Sequence, residues 1–160
     1  MTDRFGPRHG PIRVSGLVLA VLLSASGCAT PSWLCVNPSG VSNLTIRADP
    51  NANLDSAVAV DLLFVRDDQL TAQLLQTPAL DYFARRDQIR RDYTENDVRR
   101  WSWELAPGQQ VDRASVSPPC GRKATFMFAS YATPGDHRLR LGDDRTVTVI
   151  LGETDFQVQP

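Results

Sequence analysis

Ala57-Val58-Ala59-Val60-Asp61-Leu62-Leu63-Phe64-Val65 is the stretch from which the fold follows. It is short, rich in β-branched residues and apolar at all but one position, which reads as a central strand. Val58, Val60, Leu62 and Phe64 share one face, and Asp61 falls on the other. Just upstream, Asp49-Pro50-Asn51-Ala52-Asn53 is a cluster of breakers and therefore a loop, preceded by the alternating strand Leu44-Thr45-Ile46-Arg47-Ala48. Downstream, residues 67–92 change period. Leu70, Leu74 and Leu75 have helical spacing, Asp67 or Asp68 favours a helix start, and Thr77-Pro78 is an N-cap and N1 pair that restarts the helix. Leu80, Phe83 and Ala84 are then expected to face inward, and Arg85, Arg86, Asp87, Arg90, Arg91 and Asp92 to face water.

Period two returns at Trp101-Ser102-Trp103-Glu104-Leu105 and continues, past the Pro107-Gly108 turn, at 111–116. Ser117-Pro118-Pro119-Cys120-Gly121 is a stiff loop. Residues 124–132 (ATFMFASYA) form the most aromatic strand, expected to be buried on both faces. Residues 138–141 alternate, 142–145 read as a hairpin turn, Val147, Val149 and Leu151 form another strand face, and Phe156 to Val158 extend the edge. The sum is a mainly β chain: an immunoglobulin-like β-sandwich of seven or eight strands with a helical insertion near 67–92.

The N-terminus states where such a domain works. Arg4, Arg8 and Arg13 precede a 12-residue, mostly apolar run, Val14 to Ala25, and Ala25-Ser26-Gly27 lead into Cys28. The run suits a signal h-region and is too short to span ~30 Å of hydrocarbon, which needs ~20 residues. Ser24 to Cys28 resembles a lipobox, so residues 1–27 read as a lipoprotein signal peptide and Cys28 as the lipidated residue, carrying diacylglycerol and an acyl chain such as palmitate. The alternative is an ordinary secretory signal with Cys28 incidental. Residues 28–41 read as a tether and 42–160 as the folded domain.

Without residues 1–27 the chain keeps 14 basic and 17 acidic side chains. That balance argues against a nucleic-acid partner and leaves membrane attachment to the acyl chains. With Cys28 acylated, Cys35 and Cys120 remain, and in an oxidising periplasm they read as one disulfide; the alternative is two thiols.

Little in the sequence suggests catalysis. The histidines are His9, inside the signal, and His137, which has no Gly-x-Ser-x-Gly elbow to serve. Asp49 to Asp55 superficially resembles a calcium loop but has Leu54 at position six and Val60 at position twelve, so no metal is assigned. Trp101 and Trp103 read as core rather than as a ligand platform. The pairs Arg85-Arg86, Arg90-Arg91 and Arg99-Arg100 read as a solvated face offset by Asp87, Asp92, Glu95 and Asp97, the alternative being a surface for an acidic partner.

Taken in order, the Cys28 lipobox, the strand from Leu44 into an Asn-rich loop, the apolar strand 57–65, the helical stretch, the turn Glu104-Leu105-Ala106-Pro107-Gly108 and the aromatic strand Phe126–Tyr131 resemble the type VI secretion outer-membrane lipoprotein family (TssJ, or SciN). The resemblance implies a transthyretin-like sandwich on the periplasmic face of the outer membrane, no catalysis, no cofactor beyond the lipid, and a role as structural adaptor. It also implies that the loop between the first two strands docks a TssM-like inner-membrane protein and other secretion-complex subunits. By position that loop is Asp49 to Ser56, with Asp49, Asn51, Asn53, Leu54 and Asp55 as contact residues. The other readings are a periplasmic pilotin or ligand-binding module using the helical insertion and, least supported, an enzyme.

Overall fold

Two sheets of four strands face each other. The structure, a computed structural model, describes residues 38–160 and the isolated Thr2. The elements in chain order are β1 (Asn43–Ala48), α1 (Ala52–Asp55), β2 (Val58–Val65), α2 (Asp68–Leu74), α3 (Ala79–Asp92), β3 (Val98–Leu105), β4 (Gln110–Ser115), β5 (Ala124–Ala129), β6 (Arg138–Leu141), β7 (Thr146–Leu151) and β8 (Phe156–Gln159). The first sheet runs β4-β1-β7-β8 and the second β3-β2-β5-β6. Residues 1–37, including the signal, Cys28 and Cys35, lie outside the described residues apart from Thr2.

The apolar pattern of each strand dictates its surroundings. β1 and β7 alternate, burying Leu44, Ile46, Val147, Val149 and Leu151 between the sheets and leaving their other face wet. β2 and β5 are buried on both faces and need two covers. One is the opposite sheet, against which Val58, Val60, Leu62 and Phe64 pack. The other is the helical insertion: Leu63, Val65, Phe126 and Phe128 form a second apolar layer with Leu70, Leu74, Ala79 and Tyr82 from α2 and α3. The insertion is thus a lid required by a strand with no polar face.

Several local expectations are corrected. Asp67 caps α2, accepting from the Leu70 N–H at 2.6 Å, but α3 starts at Ala79 with Pro78 as its N-cap residue, and the Thr77 hydroxyl donates back to the Gln73 carbonyl at 2.8 Å. Leu80 is 78% exposed and Ala84 faces water; Tyr82 is the side chain that turns inward, stacked on Phe128 at 4.2 Å. Residues 142–145 do not close a hairpin. They carry the chain from β6 in the second sheet to β7 in the first, where β7 pairs parallel to β1. Trp101 and Trp103 border the core between the sheets but are only half-buried, because β3 is an outermost strand. The aromatic strand ends at Ala129, and residues 130–137 leave as a loop.

The chain reaches β1 at one end of the sandwich. The buried Arg122 guanidinium lies under Gly40, donates to the Ser39 carbonyl at 3.3 Å and to the Thr125 hydroxyl at 2.9 Å, and is ion-paired with Asp143. Gly40 has φ +110°, and a Cβ there would sit 2.9 Å from the guanidinium, so glycine answers both demands. The six residues of β1 then carry the chain about 20 Å to the opposite end, where the 49–56 loop begins.

Candidate functional site, the loop between the first two strands

The loop is built around a left-handed turn. Asn53, Leu54 and Asp55 have φ of 49°, 54° and 61° in succession, although none is glycine. Each such residue costs roughly 1–2 kcal/mol in backbone energy, with Asn and Asp the most tolerant. Such strain persists only where the surroundings over-determine it, and it concentrates at functional sites.

Here the surroundings are specific. Asn53 is 5% exposed. Its amide donates to the Ala57 carbonyl at 3.0 Å, and its side-chain oxygen accepts from the Ala132 N–H at 2.7 Å. The Asn53 and Leu54 N–H groups donate to the Gly152 and Glu153 carbonyls at 3.1 and 3.2 Å, and the Asn51 amide donates to the Glu153 carboxylate at 3.1 Å. On the other side the Gly108 N–H reaches the Ala48 and Asp49 carbonyls, which ties the Pro107-Gly108 turn to the start of the loop. What this scaffold displays is Leu54, 51% exposed, with Asn51 and Asp55 also in water and Asp49 partly covered. A leucine in a strained, pinned turn has lost its conformational entropy in advance, which is what a protein contact needs.

The neighbouring loops continue the surface. His137, itself at φ 40°, is buried beside Tyr131 with ring centroids 4.9 Å apart. Its Nδ1 meets the Asp155 carboxylate at 2.9 Å and its Nε2 the Thr133 carbonyl at 2.8 Å. Both ring nitrogens are therefore occupied in bracing the 130–137 and 152–155 loops against each other. Burial, then Asp155 and Asp49, push the Tyr131 hydroxyl above its ordinary pKa, so it stays protonated. Loops 49–56, 130–137 and 152–155 contain five acids and no lysine or arginine; of these, Asp136 is paired with Arg138 at 3.5 Å. The end of the sandwich that carries Leu54 is thus rimmed by negative charge.

The other candidates that the sequence offers fall elsewhere. Among the described residues no three His, Cys, Asp or Glu side chains converge to hold a metal. Leu70 and Leu74, which a pilotin groove would have to expose, are fully buried. Cys120 is engaged rather than free, and Cys35 lies outside the described residues. One group that sequence reasoning placed only by face is Asp61, whose side chain is 1% exposed. It accepts a 2.6 Å hydrogen bond from Tyr82 and lies 3.9 Å from Arg100; burial first, then the adjacent Asp61, raise the Tyr82 pKa far above its ordinary value, so Tyr82 remains a donor.

The class that the coordinates define is one of fold, a two-sheet β-sandwich with a helical lid. Three solved structures share the fold. Serratia marcescens Lip, a membrane-bound component of the type VI secretion system, matches with a TM-score of 0.58 at 16% identity, over 77% of this chain and 98% of that one. The type VI secretion lipoprotein TssJ1 from Pseudomonas aeruginosa matches at 0.56 and 19% identity, over 77% and 98%. A structure described as the TssM C-terminal domain (869–1107) from EAEC matches at 0.55 and 17% identity, over 74% and 97%. No family model and no curated protein matches the sequence. The likeness establishes the TssJ-type sandwich.

Proposed function

We propose that the chain is an outer-membrane-anchored periplasmic lipoprotein, lipidated on Cys28, that acts as a structural adaptor of a type VI-like secretion complex and docks a TssM-like inner-membrane component through residues 49–56. The observation that carries this reading is the pinned left-handed turn presenting Leu54, on a fold shared with type VI secretion lipoproteins. Leu54 is the apolar anchor, Asn51 and Asp55 flank it, Asp49 begins the loop, and Asn53 holds the turn from beneath. The acidic rim calls for a partner surface with a socket for leucine surrounded by lysine or arginine. The described residues 38–41 lead into the start of β1, and the docking loop follows its end.

The test is capture from detergent-solubilised envelopes, read by mass spectrometry. Wild type is expected to recover a large inner-membrane secretion protein, and Leu54→Asp at least about thirtyfold less, in line with removal of a single central anchor. Because Leu54 is exposed, the substitution is expected to leave thermal unfolding within ~0.5 kcal/mol of wild type. Equal recovery by both proteins would refute docking through this loop.

The Cys35–Cys120 disulfide belongs to the same proposal and predicts a mass signature. Under non-reducing, denaturing conditions neither cysteine takes up iodoacetamide, both do after reduction, and Cys120→Ser makes Cys35 reactive without reduction. Uptake by Cys120 in unreduced wild type would contradict the pairing.

A further inference from the structure

A cleft of about 500 Å³ opens between α3 and the edge of the second sheet. Its lining is mixed: Leu63, Ile89 and Val98 supply apolar surface, Tyr93 and Trp101 supply rings, and Arg86, Arg90, Arg99 and Arg100 border it with Glu95 as the single acid. The fold sorts the arginine pairs that in sequence look like one solvated face. From α3, Arg86 and Arg90 line the cleft, while Arg85 bonds back to the Asp81 carbonyl and Arg91 to Gln88, outside the cleft lining.

Two of the acids that would offset these cations, Asp92 and Asp97, are occupied elsewhere. Asp92 accepts from Gln88. Asp97 accepts from the Thr94 N–H and hydroxyl, which hold its carboxyl below the ordinary range. Arg100 is committed to buried Asp61, and Arg90 meets Asp87 at 3.5 Å where both are largely exposed, a pairing of small worth. Arg86 lies 5.4 Å over the Phe83 ring, with no carboxylate at that contact, whereas Arg99 stands on the other face of β3, 6.0 Å over Trp101 and donating to the Ser117 carbonyl at 3.3 Å. β3, which forms one wall, is the outermost strand of its sheet, and no described strand pairs with its other side. An edge of this kind offers main-chain partners to an extended peptide.

We propose that this cleft binds an acidic, extended segment of a protein partner, seating an apolar side chain on Leu63, Ile89 and Val98 between carboxylates held by Arg86 and Arg90. Apolar floor and cationic walls are both needed, which separates this ligand from a plain polyanion. The cleft flanks the Leu63 and Val98 half of the β2–β3 ladder, whereas the 49–56 loop adjoins the Val58 and Leu105 end, so the two sites can be filled together. The cleft's acidic ligand also complements, and does not repeat, the basic partner surface required at the loop.

The experiment uses the full chain in neutral detergent at low ionic strength. The probe is a blocked nonapeptide of alternating glutamate and leucine, with its lysine counterpart and anionic phosphatidylglycerol vesicles as comparisons. Arginine side-chain and tryptophan indole resonances are followed by NMR. The glutamate peptide is expected to shift Arg86, Arg90 and Trp101, and the lysine peptide to leave them unmoved. The variant Arg86→Glu/Arg90→Glu is expected to weaken binding roughly tenfold or more, whereas Arg85→Glu/Arg91→Glu, with the same charge change on the same helix outside the cleft, stays within about twofold. Absence of shifts, equal loss in both double variants, or shifts with vesicles and none with the glutamate peptide would each overturn the proposal.

Discussion

Replacing Asn53 by Ala is expected to lower stability by about 3 kcal/mol, or about 10 °C in Tm for a domain of this size. Two costs add. The substitution orphans the Ala57 carbonyl and the Ala132 N–H, whose partners are the two ends of one buried amide, and a group left unpaired away from water costs ~1–3 kcal/mol. It also forces alanine to hold φ 49°, about 1 kcal/mol worse than asparagine or glycine. Asn53→Gly separates the two, because it relieves the backbone cost and still loses both hydrogen bonds; it should fall between wild type and Asn53→Ala. Thermal unfolding followed by circular dichroism checks the series. A loss under 0.5 kcal/mol for Asn53→Ala would mean that the turn is not held from beneath as described.

The second large effect is expected at Tyr82. Tyr82→Phe keeps the ring and its 4.2 Å stack on Phe128, and removes only the hydroxyl that donates to Asp61. The Asp61 side chain, 1% exposed, is then left with Arg100 at 3.9 Å, and its other oxygen has no hydrogen-bond partner among the described residues even in wild type. Stripping a donor from a buried carboxylate costs about 3 kcal/mol, most of it the penalty of the uncompensated charge. The double variant Asp61→Leu/Tyr82→Phe should recover part of the loss, since removing both polar groups leaves no buried orphan and Arg100 remains in contact with water. A double variant less stable than Tyr82→Phe alone would contradict this account of the pair.

These two sites also mark where sequence reading reaches and where it stops. The strands were legible because their patterns are local: alternation in β1 and β7, and apolar character at all but one position of 57–65 and of 124–129, leave few alternatives. The helical insertion was legible from its change of period, but the expected place for it was over an edge or end of the sheet, whereas it covers the outer face of β2 and β5. Which residues of the lid turn inward was not legible. Leu80 carries the apolar signal in the first turn of α3, yet Tyr82 is buried, because its hydroxyl has a carboxylate to meet on a strand 21 positions earlier in the chain. No periodicity records that pairing. The 142–145 turn fails for a related reason: its residues specify that the chain reverses, whereas which sheet β7 joins depends on its parallel pairing with β1, about 100 residues away. In the loop, Asn53 and Asp55 are residues that tolerate left-handed backbone, so a turn was foreseeable. That Leu54 would be held in the same conformation and displayed follows only from bonds to residues 132, 152 and 153, which lie far along the chain.

Docking through the 49–56 loop is tested most directly in living cells by site-specific photocrosslinking. A benzophenone amino acid placed at Leu54 is compared with the same group at Leu80, which is at least as exposed but lies on the helical lid. A crosslink to a large inner-membrane secretion protein is expected from position 54 and none from position 80. A crosslink to that protein from position 80 alone, or no crosslink from position 54 in cells assembling an active secretion complex, would contradict it.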